Sequence, residues 1–173
     1  MHSPLVITLD LDEATMARFQ AERAELFPPH RTQVGAHLTL FHAVPGRLEA
    51  QVLQDVQTAA DRPPFDVAVR KVISLGKGAA YLLEAPELTE LHARLRQSWA
   101  AHLTPQDSQG FRPHVTVQNK VDPATARETV QRLQAALVPF IARAQALVVW
   151  RYIGGPWELV QRVPFGDGDP LQR

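Results

Sequence analysis

Residues 36–41 read Ala-His-Leu-Thr-Leu-Phe and residues 113–118 read Pro-His-Val-Thr-Val-Gln. Each alternates apolar with polar residues, the pattern of a half-buried strand. Successive strand side chains point to opposite faces. His37, Thr39 and Phe41 therefore share one face while Leu38 and Leu40 enter the core. By the same rule His114, Thr116 and Gln118 share a face opposite Val115 and Val117. The two histidines lie 77 positions apart. Two unlike landmarks keep nearly that offset: Ala17-Arg18 and Ala93-Arg94 are 76 apart, and Pro64-Phe65 and Pro139-Phe140 are 75 apart. A near-constant offset is the mark of a duplicated unit.

Reading outward from the two strands gives the rest of each unit. Residues 4–11 form a strand, and Asp12 caps a helix that Pro28-Pro29 ends. Beyond the first His/Thr strand, Leu48, Val52, Leu53, Val56 and Ala60 recur at helical spacing over 47–60. Strands at 65–75 and 79–84 are joined at Gly76-Lys77-Gly78, whose glycines allow a hairpin turn. The second half repeats this order: a helix over 87–103, a turn at 107–110, the strand 113–118, a helix over 123–138, and strands 140–152 and 157–163 joined at Gly154-Gly155. The expected fold is α+β and bilobal: a duplicated helix-strand-helix-hairpin unit with pseudo-twofold symmetry, antiparallel sheets lining a central cleft and helices outside. It is one two-lobed domain over 1–173, with 166–173 a flexible tail. The cleft is the default site.

At 173 residues the chain is one domain's length and buries roughly 70% of its unfolded surface, enough for a real core. Eighteen basic and 18 acidic residues cancel, so no chain-wide positive field exists to hold long nucleic acid. An absence of cysteine excludes disulfides, thiolate metal sites and a cysteine nucleophile. The longest apolar runs, such as 146–150, fall far short of the ~20 residues that span a bilayer. Residues 1–13 lack the marks of a signal peptide. A cytoplasmic monomer without membrane contact is expected.

Taken alone, His-x-[Ser/Thr] is weak: composition gives about 0.6 chance matches. The chain holds four, but His30-Arg31-Thr32 and His102-Leu103-Thr104 lack strand context. The two at the repeat offset would face one cleft. Paired histidines suit proton transfer at phosphorus, since a neutral ring takes a proton while a protonated ring gives one. Two threonine hydroxyls can bind the non-bridging oxygens as charge develops. A catalytic zinc site competes poorly, because two histidines without facing carboxylates fall short of three ligands. No Gly-x-Ser-x-Gly elbow supports a serine hydrolase.

His37-Leu38-Thr39-Leu40 and Phe111-Arg112-Pro113-His114-Val115-Thr116-Val117 resemble the two signature motifs of the two-histidine phosphoesterase superfamily, in its 2'-5' RNA ligase-like branch. The resemblance covers essentially the whole chain. It implies cofactor-free, metal-independent chemistry on nucleotides or RNA termini: opening of a 2',3'-cyclic phosphate to a 2'-phosphate, with 2'-5' ligation, 2'-5' phosphodiesterase activity or a non-catalytic RNA-end binding module as alternatives. His37, Thr39, His114 and Thr116 would be catalytic. His114 is assigned to activate water and His37 to protonate the departing ribose oxygen, with the exchange of these roles left open. Ligase-type members often carry an arginine five residues after the second histidine, where this chain has Asn119 followed by Lys120. Candidates for the phosphate-binding cation are therefore Lys120, Arg112, Arg31 and Arg151. Phe41, on the His37 face, leads the candidates for stacking a base, with Phe111 and Tyr152 behind it and Trp150 and Trp157 read as hairpin core. Gln118 is a candidate for phosphate or ribose. His42, on the opposite face, is read as structural or surface.

Overall fold

Asp12 opens the first helix as its sequence dictates, its carboxylate accepting the Thr15 N–H at 3.2 Å. The computed structural model describes residues 2–28 and 34–166. Over these the order is β1 (Leu5–Leu11), α1 (Glu13–Leu26), β2 (Leu38–Val44), α2 (Glu49–Ala59), β3 (Phe65–Ser74), β4 (Ala79–Glu84), α3 (Pro86–Trp99), α4 (Pro105–Ser108), β5 (His114–Gln118), α5 (Pro123–Ala136), β6 (Phe140–Tyr152) and β7 (Trp157–Pro164). The helix-strand-helix-hairpin order thus occurs twice.

All ladders are antiparallel, and the strands run β1-β2-β5-β4-β3-β6-β7 with β6 also pairing β1. The sheet therefore closes on itself in a barrel-like arrangement with β7 appended. This differs from the separate sheets expected: β6 is 13 residues long, so its first part can pair β3 while its remainder pairs β7 and β1.

One face of every strand packs under helices. Phe19 of α1 meets Tyr81 of β4 at 5.0 Å between rings, and Gln134 of α5 accepts the Val72 N–H at 2.8 Å. On the other side Trp99 of α3 packs edge-on to Phe41 at 5.0 Å, and its indole N–H reaches Asp55 of α2 at 2.9 Å. Leu5, Ile7, Leu9, Leu38, Val67, Val69, Tyr81, Leu83, Val115, Val117 and Leu147 form this buried layer. The opposite face carries His37, Thr39, His114 and Thr116.

Hairpin turns fall where glycine permits them, at Gly76 (φ +83°) and Gly154 (φ +94°). Gly78 serves packing instead, because a Cβ there would collide with the Gln118 carbonyl of the neighbouring strand.

Four boundaries differ from the pattern reading. β2 runs on to Val44. The helix expected over 47–60 is a single tight turn at Gly46–Leu48 followed by α2. The helix expected over 87–103 ends at Trp99. The expected turn at 107–110 is partly the helix α4, capped by Thr104, with Asp107 buried. The expected tail lies, beyond Gly166, outside the described residues.

Candidate active site

β2 and β5 lie side by side with Leu38 opposite Val115. Extending that antiparallel register by one residue each way sets His37 against Thr116 and Thr39 against His114. The four polar side chains thus form a block on one face while Leu38 and Val115, both fully buried, anchor the other. Diagonal positions in such a block, here His37 and His114, are roughly 7–8 Å apart. The block exists because each strand alternates strictly over these residues.

The two rings are held by the same device. His37 Nδ1 lies 2.7 Å from the Gly35 carbonyl and His114 Nδ1 lies 2.7 Å from the Arg112 carbonyl. A carbonyl only accepts, so each Nδ1 carries a proton and each Nε2, on the far side of the ring, is left free to accept a proton or, when protonated, to give one. The shared i to i−2 contact fixes tautomer and orientation together.

Their surroundings differ. The His37 ring packs against Trp157 at 4.6 Å, and with Thr8, Met16, Val148, Trp150, Leu159 and Arg162 it lines a cavity of about 210 Å³. Thr8 forms its floor, its hydroxyl accepting the Trp150 indole N–H at 2.9 Å. Burial pushes the His37 pKa down to about 4, with the positive charges of Arg23, His42 and His114 adding to the effect and the Gly35 carbonyl opposing it. His37 is therefore a neutral ring at pH 7.

Arg23 of α1, itself buried, ties the block together from behind. It donates to the Thr116 carbonyl at 2.9 Å and to the Val34 carbonyl at 3.2 Å, one residue before the glycine that orients His37.

The remaining candidates divide. Phe41 is not a base platform: it is fully buried, stacked on His92 at 4.6 Å and edge-on to Trp99. A bulge causes this. Thr8 pairs Thr39 and Ile7 pairs Phe41, so Leu40 is the extra residue and Phe41 follows it into the core. Gln118 is likewise turned from the site. β4 pairs Ala80 with Thr116 but Ala79 with Gln118, and this second bulge rotates Gln118 beneath α1 and α5, where it lies beside Glu25, Thr125 and Thr129. Arg151 is engaged elsewhere, its guanidinium bound at 2.7–2.9 Å by Glu49 and Glu158. Arg31 lies outside the described residues. Phe111 stacks on His92 at 3.9 Å. Arg112 and Lys120 are exposed, one at the entry to β5 and the other just past its end, where Lys120 adopts a left-handed φ of 63°. Tyr152 is exposed, paired opposite Trp157. His42 is exposed and structural, its Nδ1 3.1 Å from the Asp107 carboxylate.

Trp157 packs against the His37 ring and Trp150 lines the same cavity as His37, so neither is hairpin core alone. Their signal was present in the two-residue period following the Gly154-Gly155 turn, which places Tyr152, Trp157 and Leu159 on the His37 face. Among the described residues no group of three or more His, Cys, Asp or Glu side chains is arranged to hold a metal ion, and no helix is long and apolar enough to cross a membrane.

A family model described as the 2'-5' RNA ligase superfamily matches residues 10–156. The chain belongs to the 2'-5' RNA ligase superfamily. Among solved structures it is similar to TT0787 of Thermus thermophilus, with a TM-score of 0.67 at 17% identity, covering 96% of this chain and 99% of that one. It is also similar to E. coli LigT complexed with 3'-AMP, with a TM-score of 0.60 at 16% identity, covering 95% of this chain and 99% of that one. A structure described as a phosphoesterase aligns with a TM-score of 0.58 at 16% identity, over 95% of this chain and 99% of that one. No curated protein sequence matches. These likenesses agree on the fold, and membership of the 2'-5' RNA ligase superfamily supports phosphoesterase activity.

Proposed function

We propose that the protein hydrolyses the 2',3'-cyclic phosphate of nucleotides or RNA ends to a 2'-phosphate, without a metal ion. The observation that carries this reading is the four-residue block in which two histidines, each with Nδ1 tied to a carbonyl and Nε2 left free, share one face of adjoining strands with two threonine hydroxyls. In-line displacement at phosphorus needs a base behind the attacking oxygen and an acid behind the departing one. Water attacks phosphorus and gives its proton to one Nε2. The bond from phosphorus to the ribose 3' oxygen breaks, and that oxygen takes a proton from the other ring. Thr39 and Thr116 donate hydrogen bonds to the non-bridging oxygens as charge builds on them.

The lowered His37 pKa favours His37 as the base and leaves His114 as the acid, the reverse of the assignment made from sequence. The donor set of two histidines and two threonines performs proton transfer and charge stabilisation without a Lewis acid. We further infer that the repeated element order reflects a duplicated unit with an approximate twofold axis between β2 and β5.

The test is turnover of 2',3'-cyclic nucleotides, and of a short RNA bearing that end, by EDTA-treated protein, followed by 31P NMR. His37→Ala and His114→Ala are each expected to lower kcat by at least 100-fold, within the range for removal of a general acid or base. Tight binding with no turnover of any cyclic-phosphate or 2'-5'-linked substrate would overturn the reading in favour of a binding module. The superfamily's description favours one companion activity, 2'-5' ligation, in which a ribose hydroxyl of a second RNA replaces water. Adding RNA with a free 5' hydroxyl to the same assay detects it.

A further inference from the structure

The face of the sheet formed by β3, β4 and β5 beside His114 carries cations that the reaction itself does not use. In register, Lys71 of β3 lies opposite Leu82 of β4, Leu82 opposite His114 of β5, and His114 in line with Thr39 of β2. One row thus crosses four strands on the His114 face. With strands about 4.8 Å apart, Lys71 is two strands, or about 10 Å, from His114.

Strict alternation would not allow this. Val67 and Val69 point into the core, so Arg70 faces the cleft and Lys71 should turn inward. A bulge intervenes: Val69 pairs Leu83 and Lys71 pairs Leu82, leaving Arg70 as the extra residue. Both Arg70 and Lys71 are exposed while Val72 returns to the core. Bulges redirect side chains in this way at sites of function. Arg112, exposed at the entry to β5, lies on the same side of the site as His114.

The opposite wall also holds arginines, but carboxylates occupy them. Arg162 is bound by Asp10 at 2.9 Å, and Arg151 by Glu49 and Glu158. Among the described residues no ion pair is formed by Arg70, Lys71 or Arg112. The acidic residues on their wall are Glu84, opposite Ala68, and Asp66, which Arg143 binds at 2.8 Å. In a chain of zero net charge the site therefore has basic residues beside His114 and aromatic residues beside His37.

We propose that Arg70 and Lys71, with Arg112, form a phosphate-binding track that holds the backbone of an RNA strand leading away from the reacting end, so that the preferred substrate is an oligoribonucleotide rather than a mononucleotide. This rests on the reading that the paired histidines act on a cyclic-phosphate end. The track supplies the local grip on a polyanion that an overall neutral protein otherwise lacks. Leu82, half-buried between the track and the site, gives the ribose an apolar surface.

The experiment compares kcat/KM for a five-nucleotide RNA ending in a 2',3'-cyclic phosphate with that for a 2',3'-cyclic mononucleotide, in wild type, in R70E/K71E and in R94E, a control on the outer face of α3. Wild type is expected to favour the pentamer at least tenfold, and R70E/K71E to reduce that ratio about tenfold, with R94E leaving it unchanged. Each phosphate contact on a single strand contributes a slope of about −0.7 to log affinity against log salt. Binding of a pentamer with a non-reactive 3'-phosphate, read by fluorescence anisotropy, should therefore lose about 1.4 of its slope in the double variant. Equal kcat/KM for the two substrates in wild type, or an unchanged ratio and salt slope in R70E/K71E, would overturn the track. If neither cyclic substrate is turned over, the reaction is wrong, and the anisotropy measurement still decides the track.

Discussion

Replacing Arg23 by methionine should uncouple the two halves of the site. Methionine fills much of the volume of the arginine stem but donates nothing, so the Thr116 and Val34 carbonyls each lose a charged donor. Hydrogen bonds to charged groups are worth about 1.5–3 kcal/mol each. Relief of the burial that already lowers the Arg23 pKa offsets part of the loss. A net cost of about 2–4 kcal/mol follows, or a fall in Tm of roughly 4–16 °C for a chain of this size. The catalytic consequence is separate. Thr116 sits opposite His37 on the adjoining strand, and Val34 precedes the glycine that orients the His37 ring, so both loosen at once. Misplacement by about 1 Å costs about 100-fold in rate. Removing the guanidinium also removes a positive charge that holds the His37 pKa down, so that pKa should rise toward 6.5. With His37 as base, the acidic limb of kcat/KM should move to higher pH in the variant. The assays are thermal unfolding by circular dichroism and a pH series of kcat/KM on a cyclic-phosphate substrate well below Tm. Lost stability with an unchanged kcat and an unmoved acidic limb would refute the positioning role and leave Arg23 a purely structural tie.

Three further outcomes follow from the same contacts. His92 is sandwiched between Phe41 and Phe111, and burial pushes its pKa down to about 4, with Arg96 adding to this and the Leu40 carbonyl and Asp107 opposing it. A folded-state pKa below the unfolded value of 6.5 means that the unfolded chain binds the proton more readily, so stability falls as pH drops from about 6.5 to about 4. The loss is about 3 kcal/mol for the buried His92 and less for the partly exposed His37; urea titrations at about pH 7.5 and about pH 4.5 measure it, and equal midpoints would contradict it. Asp107→Asn should destabilise by about 3 kcal/mol, because one carboxylate accepts the His42 and Ala43 backbone N–H groups at 2.8–3.0 Å as well as the His42 ring; denaturant unfolding with a cost under about 1 kcal/mol would count against this. Trp157→Ala should raise KM by about 5- to 150-fold, the range for losing one stacked base, with a smaller change in kcat; an unchanged KM would remove Trp157 from the substrate path.

The shared face of the four candidate residues was legible in sequence because its signal is local. Strict two-residue alternation fixes a face, and His37, Thr39, His114 and Thr116 obey it. The same rule failed at Phe41, Gln118 and Lys71, and for one reason. Each lies at a bulge, and a bulge is set by the partner strand. Nothing in the run Leu40-Phe41 says that β1 will skip a residue there. Arg23 was invisible for a related reason: its acceptors are backbone carbonyls, which carry no sequence signature. Trp157 was recoverable, since a single residue period links it across the hairpin to Tyr152. The closed sheet needed β6 to pair three strands, a property of length and curvature rather than of pattern.

The motif is repeated, but the chemistry proposed for it is not symmetric. Hydrolysis of a phosphodiester needs one ring neutral and one protonated at the same time, and two identical environments would give both rings the same preference. The backbone supplies sameness, since each Nδ1 donates to the carbonyl two residues back. The surroundings supply the difference. Trp157 covers the His37 ring and burial disfavours its charge, while the row beside His114 runs through half-buried Leu82 to exposed Lys71. A direct consequence is that Trp157→Phe, which keeps an apolar ring over His37, should leave the acidic limb of kcat/KM nearly in place, whereas Trp157→Ala should move it upward as water reaches the ring. Equal limbs in the two variants would mean that burial by Trp157 does not set the division of labour between the histidines.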